Sequence, residues 1–476
     1  MRIDDERVFY DIIFPHFLTI CRLRRPSHEE TELINYITEF AQKHSLRHDS
    51  DSSGNIAVYR DASPGLENLP PLLFQGHMDM VCVPDKNIWP IEPKISEGWV
   101  HTGDRSTLGA DNGIAIAYML ELLIMPLEKN PPLECVFTVA EEVGLVGALA
   151  MESDKFGLRA PRMVNIDSED IEYITVGCAG AKNMDITFPV TSENMHASKA
   201  FQITVKGEGG HSGLAINDKI PNTIKLAAGL VKSISDSAPF QICTFTGGLA
   251  RNAIPPESTV VLYSDEISEA DLRSAADRLK KNHSDLREFT VDIVPVSFKG
   301  AVLSNESSGL LIELLLEIPH GVIKLNEDTG GVFSSNNLAI VEDNDSAMKI
   351  ILSARSCELS EVDSIFEDIH ASAQKYEGVS VEIDEGYPGW RPDMDSELLK
   401  ITEKIFENRF GKKPQYLDIH AGLECGILMN IFPQVKEAIS IGPNIHNAHS
   451  VKERLDINTT VDIWYIIHEL IKHYSE

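Results

Sequence analysis

The segment 72–79 constrains the fold of this chain more than any other, because a strand pattern runs directly into polar residues there. It reads Leu-Leu-Phe-Gln-Gly-His-Met-Asp. The apolar residues Leu72, Leu73 and Phe74 predict a short buried strand, and α/β sheets bind ligands just beyond the carboxyl ends of such strands. A His followed two residues later by an Asp can supply a metal ligand and the carboxylate that orients its ring. His77 and Asp79 are therefore candidate site residues.

Strand and helix patterns alternate on both sides of this segment. Such alternation is typical of an α/β domain with a mostly parallel mixed sheet flanked by helices. From residue 198, alternating strands with two interspersed helices predict a separate α+β domain, and a strand–helix–strand pattern recurs near 290–318 and 347–374. This recurrence predicts two related halves. We therefore expect a first domain formed by residues 1–186 and 385–476, interrupted by an inserted α+β domain at 187–384.

The last part of the chain returns to the pattern of the first. Apolar residues at helical spacing predict a closing helix at about 460–473. Thr459 and Asp462 resemble the capping box with which many helices begin, so we expect the helix to start there.

Composition and charge argue against several classes of function. The chain has 476 residues, more than one core usually supports, so two domains are expected. Its 73 acidic and 42 basic residues give a net charge of −31, which disfavours binding to nucleic acid or anionic membranes. The seven cysteines, an odd number without a Cys-x-x-Cys pair, indicate reduced thiols. Acids near the N-terminus and the lack of an apolar stretch of about 18 residues predict a cytoplasmic protein.

Ligand-type residues follow the predicted strands or lie in the loops after them. They are His77, Asp111, the pair Glu141 and Glu142, Asp167 and His449. Each has a plain structural interpretation: a loop His, a helix N-cap, a solvated acid pair, an exposed turn and a surface His. Together they are difficult to explain in a sheet without a site, because Zn, Co and Mn all bind imidazole nitrogen and carboxylate oxygen. The set therefore predicts a metal centre.

The adjacent acids Glu141 and Glu142 indicate the chemistry of that centre. Neighbouring side chains at a strand end point in different directions, so one acid can bind a metal ion while the other faces the reacting water. In metal-assisted hydrolysis the ion lowers the pKa of water and a carboxylate takes its proton. The pair therefore favours a hydrolase over a site that only binds metal.

Six motifs stand in order and together resemble the M20 family of co-catalytic zinc peptidases. They are Gly-His-Met-Asp (76–79), Thr-Leu-Gly-Ala-Asp-Asn-Gly (107–113), Ala-Glu-Glu-Val-Gly-Leu-Val-Gly-Ala (140–148), Asn-Ile-Asp-Ser-Glu (165–169), Gly-Gly-His-Ser-Gly (209–213) and His-Ser-Val-Lys-Glu (449–453). The similarity covers essentially the whole chain. Leu-Gly-Ala-Asp-Asn-Gly and His-Ala-Gly-Leu-Glu-Cys-Gly (420–426) are most similar to the aminoacyl-histidine dipeptidase branch, the carnosinase-like Xaa-His dipeptidases. The resemblance implies a hydrolase that acts on peptide bonds.

The resemblance also implies two divalent metal ions, most often Zn²⁺, with Co²⁺ and Mn²⁺ as alternatives. His77 and Asp167 would hold one ion, and Glu142 and His449 would hold the other. Asp111 would bridge the two ions and would precede a cis peptide bond.

Three further residues take catalytic roles from the same resemblance. Glu141 would be the general base, Asp79 would orient His77, and His211 would stabilise the tetrahedral oxyanion. In family dimers this last His often comes from the partner's lid, so a homodimer through the inserted lid domain is expected. The lid is about 200 residues long, which leaves open that a duplicated lid imitates the partner's lid within one chain.

Four residues are expected to contact the substrate. Asn252 lies in a segment that resembles the lid's substrate strand. Arg355 resembles the arginine that binds the substrate carboxylate, a role that suits a guanidinium, although an ordinary exposed strand arginine is the alternative. Gly422 and Glu424 lie where the family's catalytic domain meets the substrate, and Glu424 would pair with the free amino group.

These expectations describe a cytoplasmic di-zinc dipeptidase that hydrolyses Xaa-His dipeptides such as carnosine. Small peptides are its expected partners, without nucleic acid or membrane. Two alternatives remain open. One is another amide hydrolase of this family, such as an N-acyl amino acid deacylase or a tripeptidase. The other is a catalytically silent protein that binds metal or peptide on the same scaffold.

Overall fold

The structure, a computed structural model, describes residues 3–235, 238–327, 329–344 and 347–476. The chain forms two compact units. The first comprises Met1–Cys178, Trp390–Asp418 and Gly422–Glu476, and the second comprises Ala179–Gly389 and Ile419–Ala421. The second unit is therefore inserted into the first along the chain.

Helices and strands succeed one another in three stretches of the chain. The first contains α1 (Ile3–Arg7), a π-helical turn (Val8–Ile13), α2 (Phe14–Ile20), α3 (Thr31–Lys43), β1 (Arg47–Ser50), β2 (Ile56–Arg60), β3 (Leu72–His77), β4 (Lys94–Ser96), β5 (Trp99–His101), α4 (Ala110–Ile124), β6 (Leu133–Thr138), α5 (Val146–Leu149), a 3₁₀ turn (Ser153–Lys155), β7 (Arg162–Asn165) and β8 (Tyr173–Cys178). The second contains β9 (Gly180–Pro189), β10 (Ser192–Lys206), β11 (Gly210–His211), α6 (Thr223–Ser235), β12 (Gln241–Gly247), β13 (Ala253–Ile254), β14 (Glu257–Tyr263), α7 (Glu269–Asn282), β15 (Thr290–Leu303), α8 (Asn305–Glu317), β16 (Gly321–Leu325), β17 (Val332–Asn344), β18 (Ala347–Ser356), α9 (Leu359–Ala373) and β19 (Ser380–Ile383). The third contains α10 (Glu397–Phe410), β20 (Gln415–Ile419), α11 (Glu424–Ile431), β21 (Glu437–Ser440), β22 (Ile445–His446), β23 (Arg454–Asp456) and α12 (Ile457–His473).

An eight-stranded sheet with the order β1-β2-β6-β3-β7-β21-β8-β20 forms the centre of the first unit. Its middle strands β6, β3, β7 and β21 are parallel, whereas β1, β2 and β8 pair antiparallel, so the predicted α/β sheet is mixed. β3 is buried along its whole length, as is typical of a central parallel strand. Phe74 packs in the same core as Ile116 of α4, and Leu73 packs with Leu428 of α11 in a second core. The sheet is therefore covered on both faces.

A nine-stranded sheet forms the second unit, with the order β15-β10-β14-β12-β17-β18-β9-β19 and with β16 paired to β17. Its first half, β10-α6-β12-β14-α7-β15, and its second half, β9-α8-β17-β18-α9-β19, have the same succession of main elements. In each half the fourth strand lies outermost, followed by the first, third and second strands. The second strands, β12 and β17, join the halves at the pair Gly247 and Val341. The unit therefore repeats one β-α-β-β-α-β arrangement.

The boundaries of the two units differ from the predicted domain boundaries at 186/187 and 384/385. β9 pairs with β18 from Gly180 to Pro189, so a boundary at 186/187 would divide a strand that belongs wholly to the second unit. Ala181 and Tyr387 exchange backbone hydrogen bonds, which keeps the chain up to Gly389 with that unit. Strand pairing between distant residues sets these boundaries, and local sequence patterns do not reveal it.

Separate hydrophobic cores stabilise the two units. In the first unit α4 is buried from Ala110 to Leu120, as expected for a helix that is apolar on all sides. In the second unit α6 and α8 contribute Leu230 and Leu311 to one core beneath the sheet. All seven cysteines are free thiols. No helix in the described part of the chain is long and apolar enough to cross a membrane.

Candidate metal centre and active site

Residues from five parts of the first unit meet where its parallel strands end. The register pairs His77 with Thr138 and Gln75 with Asn165, so β3, β6 and β7 end at similar levels. The residues are His77 at the end of β3, Asp111 in the first turn of α4, Glu141 and Glu142 after β6, Asp167 after β7, and His449 between β22 and β23.

Asp111 stands between two imidazole rings. Its Oδ1 lies 3.1 Å from Nε2 of His77, and its Oδ2 lies 3.0 Å from Nε2 of His449. Nε2 of His77 is also 3.3 Å from Oδ1 of Asp167, and Nε2 of His449 is 3.0 Å from Oε1 of Glu142. The centre therefore consists of two imidazole–carboxylate pairs that share the Asp111 carboxylate.

The carboxylates and imidazoles shift one another's pKa values. Burial lowers the pKa of His77, but Asp167 and Asp111 outweigh it and hold that pKa well above its ordinary value. Hydrogen bonds to Asp111 and Glu142 raise the pKa of His449 to about 11. Burial also raises the pKa of Glu142 and of Asp167. The centre gathers more negative charge than two imidazoles neutralise, a condition that favours bound cations.

The donor set fits divalent metal ions. Ligands about 2.1 Å from a tetrahedral ion stand about 3.4 Å apart, and the facing nitrogen and oxygen atoms here are 3.0–3.3 Å apart. Ligand atoms of His77, Asp111 and Glu142 all lie within 4.8 Å of one another. Imidazole nitrogen and carboxylate oxygen suit Zn²⁺, Co²⁺ and Mn²⁺. The residues present therefore fit divalent metal ions, with the Asp111 carboxylate between the two imidazoles.

Asp79 lies behind His77, on the far side of the ring from the other ligands. Its Oδ1 is 3.3 Å from Nδ1 of His77, within ion-pair distance but not aligned for a hydrogen bond. Its carboxylate accepts the backbone N–H groups of Glu141 and Glu142 at 2.9 and 3.2 Å and the hydroxyl of Ser27 at 2.7 Å. Asp79 therefore links the first ligand to the loop that carries both glutamates, as carboxylates behind metal ligands commonly do.

Glu141 is placed differently from its neighbour. In the described part of the chain it forms no ion pair with either imidazole, whereas Glu142 bonds to His449. Burial raises the pKa of the Glu141 carboxyl well above its usual range, and nearby Asp167 raises it further. Ala140 just before it has a φ of 50°, a backbone conformation that non-glycine residues rarely adopt and that clusters at functional sites. Glu141 is thus left available for proton transfer.

An irregular first turn of α4 positions Asp111. The peptide bond between Asp111 and Asn112 is cis, as the resemblance implies, and both residues have non-helical backbone angles. The Asn112 side chain accepts the N–H of His77 at 3.2 Å and donates to the carbonyl of Ile166 at 2.6 Å. A Cβ at Gly76 would collide with the Asn112 side chain. The turn is therefore tied to the ends of β3 and β7.

Two buried charged residues of this centre, Glu453 and Arg25, are not among the predicted site residues. Glu453 accepts the backbone N–H groups of residues 108–111. Arg25 is 0% exposed and donates to the carbonyl of Gly109 and to those of Met78 and Asp79. Glu453 belongs to the recognised motif His-Ser-Val-Lys-Glu, so a signal exists for it. No local pattern marks Arg25, because its burial arises only in the folded chain.

Glu424 and Gly422 lie at the start of α11 with different exposures. Glu424 is fully buried, and its Oε2 accepts from the side chains of Gln75 at 2.5 Å and Thr138 at 2.7 Å. Burial raises its pKa to about 7. Gly422 is partly exposed. A carboxyl enclosed in this way is not accessible to a substrate amino group, so the predicted pairing of Glu424 with that group is disfavoured.

His211 belongs to the second unit, where backbone contacts set its tautomer. Its Nδ1 accepts the N–H groups of Gly213 and Leu214 at 3.2 Å each. Burial and the Arg355 guanidinium lower the pKa of His211, which favours the neutral ring. With Nδ1 acting as acceptor, the proton of that ring lies on Nε2. His211 is therefore prepared to donate one hydrogen bond from Nε2.

Asn252 and Arg355 lie in the same unit. Asn252 is exposed in the loop before β13, and its carbonyl accepts the N–H of Ser212 at 2.8 Å, next to His211. Arg355 is only 5% exposed, which contradicts the interpretation as an ordinary exposed strand arginine. Its Nη1 donates to the Tyr387 hydroxyl at 2.9 Å, and its buried Nε has no hydrogen-bond partner among the described residues. An unused guanidinium donor of this kind suits a carboxylate.

The chain is similar in sequence and in structure to known peptidases. The chain is 32% identical over 470 residues to the cytosol non-specific dipeptidase of Escherichia coli (strain K12), and the match covers 96% of each protein. Its structure is similar to that of the aminoacylhistidine dipeptidase from Vibrio alginolyticus, with a TM-score of 0.87, 29% identity and coverage of 98% of this chain and 96% of that one. Aminopeptidase PepT from Bacillus cereus shares the fold, with a TM-score of 0.57, 15% identity and coverage of 98% and 99%.

A family match supports the same conclusion. Residues 73–473 match Peptidase family M20/M25/M40, and the predicted motifs from Gly-His-Met-Asp to His-Ser-Val-Lys-Glu fall within that range. Because this match and the E. coli relative each span most of the chain, the protein belongs to the peptidase family M20/M25/M40 and is a hydrolase of peptide bonds.

Proposed function

We propose that this protein is a cytoplasmic two-metal dipeptidase that hydrolyses Xaa-His dipeptides. The observation that carries the proposal is the shared carboxylate of Asp111 between His77 and His449, with Glu141 available beside them. Two relatives matched over at least 96% of each chain are named cytosol non-specific dipeptidase and aminoacylhistidine dipeptidase. Both names support dipeptides as the substrate class, and the second supports a preference for Xaa-His. The first name also supports the cytoplasmic location.

The residues of the centre have distinct roles in the proposed reaction. Divalent ions, most often Zn²⁺ in such sites, lower the pKa of water and polarise a carbonyl oxygen when bound. Glu141 takes the proton of the attacking water at a carboxylate oxygen and delivers it to the leaving amine. Burial raises the pKa of Glu141, and a higher pKa makes its carboxylate a stronger base. The ligands are His77, Asp111, Glu142, Asp167 and His449, and Asp79 orients the first of them.

Residues of the second unit have roles in the same proposal. His211 donates from Nε2 to the oxyanion that develops as water attacks, which the neutral tautomer allows. Arg355 binds the terminal carboxylate of the dipeptide, for which a guanidinium offers paired donors. Asn252 and Gly422 contact the peptide backbone of the substrate.

One observation favours a second candidate function. The E. coli relative is named a non-specific dipeptidase, which favours a dipeptidase without a preference for C-terminal His. Both candidates use the same centre and differ only in the pocket that accepts the second residue.

A substrate panel separates these candidates. Full-length protein supplied with Zn²⁺ is incubated with carnosine, Gly-His, Gly-Leu, N-acetylhistidine and Gly-Gly-His, and free amino acids are quantified by chromatography. We expect release of His from carnosine and Gly-His, and no release in EDTA. We also expect kcat/KM to be at least about tenfold higher for Gly-His than for Gly-Leu. Equal values for Gly-Leu would establish the non-specific dipeptidase. Cleavage confined to N-acetylhistidine or the tripeptide would replace the dipeptidase proposal, and metal binding without turnover would indicate a silent binding protein.

A further inference from the structure

The segment 108–111, which ends at the shared ligand, is held by one buried carboxylate. Oε2 of Glu453 accepts the N–H groups of Leu108 at 2.7 Å and Gly109 at 3.0 Å. Its Oε1 accepts the N–H groups of Ala110 at 2.7 Å and Asp111 at 3.3 Å. Glu453 is 2% exposed. Both oxygens are thus used, and each binds two consecutive donors.

These donors need an external partner, because they lie where α4 begins. The first N–H groups of a helix have no acceptor within the helix, and here Asp111 and Asn112 also depart from helical geometry. A carboxylate is the strongest acceptor available for such groups, since the hydrogen bonds are charge-assisted and the N-terminus of a helix favours negative charge. Glu453 therefore determines the path of the backbone up to the Cα of Asp111.

Arg25 holds the same segment through one carbonyl group, that of Gly109. Its Nη2 donates to the carbonyl of Gly109 at 2.5 Å, and its Nη1 donates to those of Met78 and Asp79 at 3.0 Å each. The latter two residues directly follow His77. Gly109 has a φ of 71°, and a Cβ there would collide with the Arg25 guanidinium. Two buried side chains of opposite charge thus hold the segment, Glu453 through four N–H groups and Arg25 through the Gly109 carbonyl, and Arg25 also joins it to the residues after His77.

We propose that Glu453 is a positioning residue of the metal centre, which holds the Asp111 carboxylate between His77 and His449. The proposal rests on the metal-binding part of the proposed function and not on the identity of the substrate. A carboxylate that bridges two ions must meet both at once, so a small displacement of its backbone weakens both sites together. Groups behind the ligands commonly change metal affinity about 10–100-fold when they are replaced.

Glu134 provides a matched control within the same unit. It is also a 2% exposed glutamate, and its carboxylate accepts the backbone N–H groups of Arg159 and Ala160 at 3.0–3.1 Å. The segment that it holds carries none of the five metal ligands. Replacing Glu134 therefore reproduces the loss of a buried carboxylate that caps backbone donors, without touching the path of Asp111.

The experiment compares Glu453→Gln and Glu134→Gln with the wild type in the full chain. Each protein is stripped of metal, its Zn²⁺ affinity is measured by competition with a chromophoric chelator, and the visible spectrum of its Co²⁺ form and its thermal unfolding are recorded. We expect both variants to unfold at lower temperature. Only Glu453→Gln should bind Zn²⁺ about 10–100-fold more weakly and show an altered Co²⁺ spectrum.

Two results would overturn the proposal: wild-type affinity and spectrum in Glu453→Gln, or an equal loss of affinity in Glu134→Gln. If Glu453→Gln cannot be isolated folded, Glu453→Asp decides the matter, because it keeps the charge but retracts the carboxylate by one methylene. A loss of about threefold or more in Zn²⁺ affinity would support the proposal, and wild-type affinity would reject it. None of these measurements involves a peptide. A wild-type protein that binds Zn²⁺ but cleaves no dipeptide would therefore refute the proposed function, while the comparison of the Glu453 and Glu134 variants would still test the role of Glu453.

Discussion

At the scale of single residues, two adjacent glutamates have different surroundings. Glu142 bonds to the ring of His449, whereas Glu141 forms no ion pair with an imidazole among the described residues, and burial together with nearby acids raises its pKa. The sequence predicts this division of roles, because neighbouring side chains at a strand end diverge. The sequence does not show which glutamate faces His449. In the structure it is Glu142, because the His449 ring lies beside it.

Replacing Glu141 with Gln should abolish turnover while leaving the metal content unchanged. Glutamine cannot accept a proton, so we expect kcat to fall by about 10²–10⁴-fold, the usual contribution of a general base. Metal content is measured by atomic emission after dialysis. Glu142→Gln is the matched control, because removal of a ligand should lower metal content as well as kcat. Near-normal turnover in Glu141→Gln would refute the assignment of the base.

Replacing His211 with Ala should lower kcat by about 10²-fold or more, the scale of losing one oxyanion donor. Because the role concerns the transition state, KM for Gly-His should change much less than kcat. His370→Ala, a replacement on α9 in the same unit, serves as the control and should leave both constants unchanged. An unaltered kcat in His211→Ala would show that another group stabilises the oxyanion.

At the scale of elements, the closing helix α12 is predicted correctly from its apolar spacing, but its first residue is predicted wrongly. Its apolar spacing predicts it well, but Thr459 and Asp462 do not form its cap. Asp456 does, since its side chain accepts the N–H of Thr459 at 2.8 Å, and the helix begins at Ile457. Asp462 is instead engaged by the guanidinium of Arg409 at 2.6 Å. The capping-box pattern assigns the Asp462 side chain to the cap, but in the structure that side chain forms an ion pair with Arg409 of α10.

The cap of α12 can be tested by stability. Asp456→Ala removes the side-chain acceptor of an N-terminal N–H, so we expect the free energy of unfolding of the first unit to fall by about 1 kcal/mol. Asn458→Ala, an exposed change in the same first turn, should be neutral or slightly stabilising because Ala favours helix more than Asn. Denaturant unfolding measures both. Equal destabilisation by the two variants would contradict the role of Asp456.

Some of the other helices can be predicted from local spacing, whereas others form because of distant contacts in the folded chain. The two helices predicted among the strands after residue 198 correspond to α6 and α7, because a continuous apolar face specifies each of them. α10 and α11 escape prediction, although α11 begins at Glu424 within a recognised motif. The Gly-rich and acidic residues there do not show helical spacing, and burial against the sheet stabilises that helix instead.

At the scale of the whole molecule, the two units have separate cores, and all five predicted metal ligands lie in the first unit. Ligand binding to the folded state stabilises it in proportion to ln(1 + [L]/Kd). The repeated halves of the second unit form a continuous sheet, and none of the five predicted metal ligands belongs to that unit. Metal should therefore stabilise one unit and not the other.

Calorimetry of the full chain should reveal this asymmetry. We expect two unfolding transitions, and EDTA should lower the temperature of one of them by on the order of 10 °C while leaving the other unchanged. EDTA saturated beforehand with Zn²⁺ is the control and should shift neither. A single transition, or equal shifts of both, would contradict the expectation that metal acts on the first unit alone.

The predicted homodimer through the lid stays a prediction. The repeat of one β-α-β-β-α-β arrangement in the second unit agrees with the alternative, in which a duplicated lid imitates a partner's lid within one chain. Sedimentation equilibrium at micromolar concentration distinguishes a monomer from a dimer.

The sequence by itself determined which kinds of residue end the central strands and in what order, because burial of β3, β6 and β7 requires local apolar runs and the ligands follow them directly. It also carried the motifs by which the family is recognised. Only the tertiary structure decided how these residues pair around Asp111 and where the two units divide. It also decided that Glu453 accepts the N–H of Leu108, 345 residues away in the chain. The physical reason is that such contacts depend on which chain segments meet in the folded protein, and no local period or spacing encodes that meeting.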